Sequence, residues 1–376
     1  MTTARLLITA LDWGLGHASR CVPLIEALQH LGAELHLASS GPARQFWRQR
    51  FPELPVYALP GYAVRYSAGP RQWPTVLRQV PRLLRVIRAE QAAVETLVQQ
   101  HGLHAVISDH RYGAYSRRVP SVWLGHQLAL RLPPGLRSLQ PSLARWHARW
   151  LRPFAAHWVP DWPPPHGLAG ALVSEYPLAD QLRFWGPLSR LSPASPSLLP
   201  PTLRSETAPY VALLSGPEPP RSQLEARLQA QAAALAAPLW IVQGQPGPLR
   251  ITPTPWGRLI SFADGPTLAA LLGQARAVIA RSGYSSLMDF AALQLPRLLL
   301  VPTPGQTEQE YLAQRWQDVG WAISRPQAQL DLSQALQHLE QQPRDRPPSI
   351  ATTEDLHDRL ADWLAGLRLS ISSGTA

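Results

Sequence analysis

The 376-residue chain contains no lysine, so all 35 of its basic residues are arginine. A Schiff-base enzyme, a Walker A nucleotide triphosphatase and a protein kinase each need a lysine amine in a defined role, and all three are excluded. The single cysteine, Cys21, rules out an intramolecular disulfide and a cysteine-rich zinc site, and it fits a reducing compartment. No window reaches the roughly 18 uninterrupted apolar residues of a spanning helix. The opening MTTARLLITALDWGLGH is broken too early by Asp12 and a glycine turn to be a signal peptide. The expected location is cytoplasmic, or peripheral on the inner face of a membrane.

Charge is sparse at 16%, while 45% of residues are hydrophobic and 40 prolines are scattered through periodic apolar segments. That composition fills two ordinary cores and is not one of global disorder. The net charge of +10 is uneven, because residues 1–190 hold 21 Arg against 10 acids and the remainder 14 against 15. A basic first half implies an anionic surface or ligand, with phospholipid and nucleic acid as the ordinary candidates.

Short apolar runs alternate with helical stretches. Strands are expected at 5–10, 34–38, 104–108 and 121–124, and helices at 17–31 and 75–100. A Pro- and Ser-rich stretch from Gly186 reads as a linker. A second set follows, with strands at 210–214, 239–243, 258–262, 277–280 and 297–301 and helices at 221–237, from Thr267 and at 284–293. This is an α/β protein of two Rossmann-like domains with parallel sheets facing a shared cleft, at 1–187 and 208–352, joined by a linker at 188–207. The last helical pattern, within 353–376, places Leu356, Leu360, Trp363 and Leu367 on one stripe and is expected to pack back on the first domain.

Polar clusters at strand ends are the candidate sites. In Asp12-Trp13-Gly14-Leu15-Gly16-His17, Gly14 and Gly16 permit a tight turn and close ligand approach. As a dinucleotide fingerprint it fails, since Ser19 replaces the third glycine and the second strand ends without an acid. His17, opening a helix whose dipole disfavours the imidazolium, is either a general base or a histidine that caps or packs. Asp109 either orients His17, caps a loop or pairs with Arg111, and His126 and Gln127 form a further strand-end pair. In the second half, Ser215-Gly216-Pro217-Glu218-Pro219 is a strand-to-helix turn suited to a phosphate, with Arg221 to supply charge, or else a plain Pro-initiated helix start. Ser282, Gly283 and Ser285 make a second anion cradle. Asp289, two turns on, suits ribose hydroxyls or simply faces solvent, and Gln306, Glu308 and Gln309 suit sugar hydroxyls.

The segment ARSGYSSLMDFAALQLPRLLLVPTPGQTEQEYLA resembles the nucleotide-sugar half of MurG-type glycosyltransferases, and DWGLGHASR resembles the family's glycine loop ending in histidine. The resemblance implies a GT-B architecture. It further implies that Ser215, Gly216, Ser282 and Gly283 face the donor phosphates, that Asp289 binds ribose, that Glu308 and Gln309 read the sugar, and that His17 faces the acceptor. Gly14 and Gly16 are fewer glycines than the family's first loop has, and Pro217 and Pro219 stiffen the second. The implied activity is transfer of a sugar from a nucleotide diphosphate donor, a UDP-sugar, to the hydroxyl of a glycan or lipid-linked acceptor by inverting displacement. No cofactor or metal is expected, and no Asp-x-Asp triplet occurs. A nucleotide-sugar 2-epimerase of the same fold and a non-catalytic sugar-nucleotide binder remain as alternatives. A nucleic-acid-binding protein is the third, although no nucleic-acid motif is present.

Overall fold

A computed structural model of the chain describes residues 3–64, 72–132, 134–175, 182–194, 199–216, 218–245, 247–341, 345–350 and 353–372. The first sheet has the order β3-β2-β1-β4-β5-β6-β7, with every neighbouring pair parallel. Its strands are β1 (Arg5–Ala10), β2 (Glu34–Ser39), β3 (Val56–Ala58), β4 (Ala105–Asp109), β5 (Ser121–Leu124), β6 (Ala156–Val159) and β7 (Leu182–Phe184). Strands β1, β4 and β5 are almost wholly buried, as expected of a sheet covered on both faces by crossover helices. Those helices are α1 (Gly16–Arg20), α2 (Val22–His30), α3 (Gly41–Arg50), α4 (Gln72–His101), α5 (Gln140–Leu151) and α6 (Ala171–Ser174). The single helix expected at 17–31 is two. Pro23, in the first turn of α2, has no N–H with which to continue the ladder of α1.

The second sheet has the order β10-β11-β9-β8-β12-β13-β14. It is built from β8 (Tyr210–Leu213), β9 (Leu239–Val242), β10 (Ile251–Thr254), β11 (Gly257–Ile260), β12 (Ala277–Ala280), β13 (Leu298–Leu300) and β14 (Ile323–Ser324). This sheet is parallel apart from its edge, where β10 pairs antiparallel with β11 through a short hairpin. Pro253 is tolerated there because an edge strand can leave one face of its backbone unpaired. Its helices are α7 (Pro220–Gln231), α8 (Gly265–Gly273), α9 (Tyr284–Ala292), α10 (Thr307–Asp318) and α11 (Leu332–Gln341).

The chain divides into two compact units, one from Met1–Arg65, Val76–Leu188 and Ile350–Ala376, the other centred on Ser189–Ser349. Most of the stretch read as a linker belongs to the second unit, where Leu191, Leu199 and Leu203 are buried; residues 195–198 lie outside the described set. The last helix, α12 (Thr353–Ser372), joins the core of the first unit by Leu356, Leu360, Leu364 and Leu367, with Trp363 partly buried beside them. Residues 373–376 lie outside the described set.

Candidate functional site

In the first unit the chemistry gathers at the carboxyl end of the sheet. Asp109 is the last residue of β4, in register with Ala10 at the end of β1, so the carboxylate and the turn leading to α1 emerge side by side. Gly14 bends that turn with φ +82°, a conformation that favours glycine. His17 follows on α1, and its Nδ1 lies 2.7 Å from Asp109 Oδ1. The imidazole is partly exposed while the carboxylate is fully buried. An Nδ1–H donated to Asp109 leaves Nε2 with the lone pair, which is the tautomer of a general base.

The carboxylate has a second partner that the sequence pattern did not single out. Arg20, one turn beyond His17 and itself buried, donates Nε to Asp109 Oδ2 at 2.5 Å and Nη2 to Oδ1. It also reaches His126 Nδ1 from Nη1 at 3.0 Å and His110 Nδ1 from Nη2 at 2.8 Å. A guanidinium offers only donors, so Nδ1 of His126 accepts. Burial alone would push the Asp109 carboxyl up, but the Arg20 guanidinium, with His17 and His110 beside it, holds it well below the usual carboxylate range. Burial dominates at the neighbours, lowering His110 to about 3 and lowering His126 too. Gly125 makes room for this ring packing, since a Cβ there would sit 2.5 Å from His110 Cε1. The only signal for Arg20 was its i+3 spacing from His17, which puts both on one helix face.

His17, Asp109 and His110 bring one ligand atom each within 4.8 Å of one another. Both carboxylate oxygens are already engaged by Arg20, so a divalent cation would meet a guanidinium in the place it needs. Arg111, the alternative partner weighed for Asp109, pairs instead with Glu90. It also binds the Ala10 carbonyl at 3.1 Å, Ser40 Oγ at 3.1 Å and the Pro60 carbonyl at 2.6 Å, fastening the loops around the sheet edge. The helix-dipole argument for His17 carries little, because α1 has only five residues.

In the second unit the two anion cradles differ. At α7, Glu218 closes the helix start: Oε2 accepts from Ser222 N at 3.1 Å, and Oε1 accepts from Arg221 Nε at 2.6 Å. Arg221 also donates to Glu225 at 2.9 Å. The expected phosphate partner Arg221 is therefore paired with two carboxylates, and the turn carries its own anion. Ser215 is part-exposed and Gly216 exposed, with φ +95°, and Pro217 lies outside the described residues.

At α9 the N-cap residue is Gly283, which has no side chain to cap the helix, with Ser285 part-exposed behind it. Ser282 is buried, and its hydroxyl donates to the Gln309 carbonyl at 2.7 Å, so its side chain ties two turns together rather than facing outward. Arg281, also buried, does the same on a larger scale. It donates to the carbonyls of Val301 at 3.0 Å, Pro302 at 3.1 Å and Pro220 at 2.7 Å and to Gln327 Oε1 at 2.7 Å.

Asp289 is half-buried on α9 and its Oδ1 accepts from Ser189 Oγ at 2.5 Å. Burial pushes its carboxyl up to about 6, against the opposing pull of Arg190 and Ser189. The side chain of Gln309 shapes its own loop, Oε1 accepting from Thr303 N at 2.9 Å and Nε2 donating to Gln306 Oε1 at 2.6 Å. Glu308 stands in the first turn of α10, part-exposed.

Residues 257–360 match the model of the glycosyltransferase family 28 C-terminal domain, a span that contains α9, β13 and α10. No curated protein matches the sequence. Solved structures do match the fold. The glycosyltransferase SnogD from Streptomyces nogalater is 17% identical with a TM-score of 0.60, covering 97% of this chain and 100% of its own. Acinetobacter baumannii MurG is 14% identical with a TM-score of 0.53, covering 90% and 89%. The Streptomyces sp. SF2575 glycosyltransferase SsfS6, complexed with thymidine diphosphate, is 14% identical with a TM-score of 0.57, covering 90% and 95%. The chain thus has the fold of GT-B glycosyltransferases. MurG is one of several structures that share it, so the likeness establishes the architecture and not the narrower MurG type.

Proposed function

We propose that the protein transfers a sugar from a nucleotide diphosphate donor to an acceptor hydroxyl. The observation that carries this reading is the His17–Asp109 pair at 2.7 Å, with its partly exposed ring at the carboxyl end of a parallel sheet. His17 Nε2 takes the acceptor proton as the oxygen attacks the anomeric carbon, the bond from that carbon to the diphosphate oxygen breaks and the nucleoside diphosphate leaves with its electron pair, and Asp109 orients the ring and stabilises the imidazolium. The glycine-capped start of α9 faces the donor phosphates, and Asp289 takes the ribose hydroxyls once they displace the Ser189 hydroxyl. Ser215 and Gly216 complete the phosphate contacts, and Glu308 and Gln309 read the sugar. The α9 N-terminus and the first unit's base supply the charge handling, without a metal. A UDP-sugar is the first donor to test, and the SsfS6 complex with thymidine diphosphate makes TDP-sugars the second.

The experiment is incubation with labelled nucleotide sugars, alone and with a glycan or lipid extract. Label in an acceptor product only when extract is present supports transfer. A changed sugar in the absence of extract points to the 2-epimerase of the same fold, and binding with neither outcome points to a non-catalytic sugar-nucleotide binder. We further propose that the acceptor is presented at an anionic membrane surface. Among the described residues no helix is long and apolar enough to cross a membrane. The basic half nevertheless exposes Leu139 and Trp146 beside Arg145 and Arg149.

A further inference from the structure

His17 sits against a buried carboxylate, and an unopposed carboxylate at 2.7 Å strongly favours the imidazolium, which has no lone pair to take a proton. Among the described residues, the His110 ring centroid lies 5.0 Å from that of His17, Arg20 and Cys21 contact the same Asp109 carboxylate, and His126 contacts Arg20. Burial keeps His110 and His126 neutral and pushes the Cys21 thiol up, so none of the three carries charge near pH 7. Asp109 and Arg20 form the charged pair against the ring. Arg20 touches both oxygens of that carboxylate and is as deeply buried as its partner.

We propose that Arg20 is a positioning residue for the transfer reaction: its guanidinium fixes the Asp109 carboxylate and offsets its charge, so that His17 keeps its Nδ1–H bond to Oδ1 and Nε2 serves as the base. This rests on the base role proposed for His17. Asp109 does two opposed things to that histidine, orienting it and tending to protonate it. Arg20 removes the second while leaving the first, because the Nδ1–H to Oδ1 bond survives in a carboxylate whose charge is shared with a guanidinium. A lysine at this position would keep the charge and lose the fork that reaches Asp109, His110 and His126 together.

The test is the protonation midpoint of the His17 ring, followed by nitrogen NMR of the imidazole in the full-length protein and assigned by loss of the signal in His17→Gln. Arg20→Met should move the midpoint up by about one pH unit or more, the usual effect of an unopposed neighbouring carboxylate. Arg20→Lys should stay within a few tenths of the unsubstituted protein. Asp109→Asn, which leaves Arg20 unopposed, should move it down. If Arg20→Met fails to fold, Arg20→Gln, which keeps one hydrogen bond to Asp109, reads the same charge removal. Equal midpoints in the parent and in a folded Arg20→Met or Arg20→Gln protein would overturn the proposal. Where transfer is measurable, the acid limb of kcat/KM should move up with the midpoint, and an equal loss at every pH would count against it. Full transfer in folded His17→Ala would overturn the base reading instead, and leaves the NMR result as an independent measure of Arg20.

Discussion

Asp109 is an ionised carboxylate in a place where burial alone would neutralise it, and that fact ranks the substitutions around it. Removing His17 deletes a partly exposed ring and leaves the Arg20–Asp109 pair intact. His17→Ala should therefore keep stability and nucleotide affinity near normal while transfer falls about 100-fold or more, the contribution of a general base. Asp109→Asn leaves a buried guanidinium without its counter-charge, so it should cost about 3–5 kcal/mol in urea unfolding. A loss of activity in that variant is interpretable only beside its stability. His17 and Asp109 were legible in the sequence because strand-end position marks them. Arg20 was not, because an arginine in a half with 21 of them looks like a solvated helix face until the fold shows it enclosed.

Asp289 behaves oppositely. Its folded pKa of about 6 lies above that of an exposed carboxyl, so the folded state holds the proton more tightly and the ionised carboxylate is destabilising above pH 6. Asp289→Asn should raise the melting temperature at pH 8, by an amount equivalent to about 1–3 kcal/mol, and the gain should vanish as pH falls toward 4. The same variant should weaken nucleoside diphosphate binding by roughly 1.5–3 kcal/mol, measured by calorimetry at pH 8. A stabilised protein with unchanged nucleotide affinity would remove Asp289 from the donor site.

At the scale of elements, two helix starts that look alike in sequence differ once their caps are known. SGPEP carries Glu218 on its own helix start, whereas RSGYS puts Gly283 at the N-cap of α9. The acid was visible in the sequence, but which backbone groups it caps depends on the turn geometry. Strands β3, β7 and β14 are two or three residues long and give no period of their own, whereas β13, also three, lies in the continuous apolar run 298–301 that marks it. Strand β6, Ala-His-Trp-Val, is hidden between an Arg- and Trp-rich helix and a proline cluster.

The basic stretches also resolve into particular faces. On α4, Leu77, Arg78, Arg85 and Arg88 are exposed, while Arg82 binds the carbonyls of Tyr62 and Ala63; Arg71 lies outside the described residues. On α5, Trp146 is 49% exposed and packs edge-on against Trp150, with Leu139 just before the helix 54% exposed. The membrane proposal rests on these exposed Trp and Leu side chains among exposed arginines. Sedimentation at low salt should show pelleting with anionic vesicles and not with neutral ones, reduced by Trp146→Ala. Equal pelleting with both, or none with either, rejects the membrane reading and leaves the arginines as solvated faces.

At the scale of the molecule, each unit has its own core, and α12 belongs to the first although it follows the second in the chain. The heptad-like spacing of Leu356, Leu360 and Leu367 announced an apolar stripe. The stripe alone does not distinguish the two cores, and the first domain was the expected one. The structure adds Leu364 to the stripe: Leu360 and Leu364 are buried in the cluster around β1 and α2. Leu360→Ala should then cost about 2–5 kcal/mol within the first unit, and Leu336→Ala, in the other core, a similar amount within the second. If the units unfold in separate steps, each substitution moves one step and spares the other, which calibrates the two transitions in a calorimetric scan. A nucleoside diphosphate that binds only the native second unit must raise the transition that Leu336→Ala lowers, by about 2.7 kcal/mol at a hundredfold excess over Kd. Ligand stabilisation of the Leu360-sensitive transition alone would place the nucleotide on the first unit, against the donor site argued from α9 and Asp289.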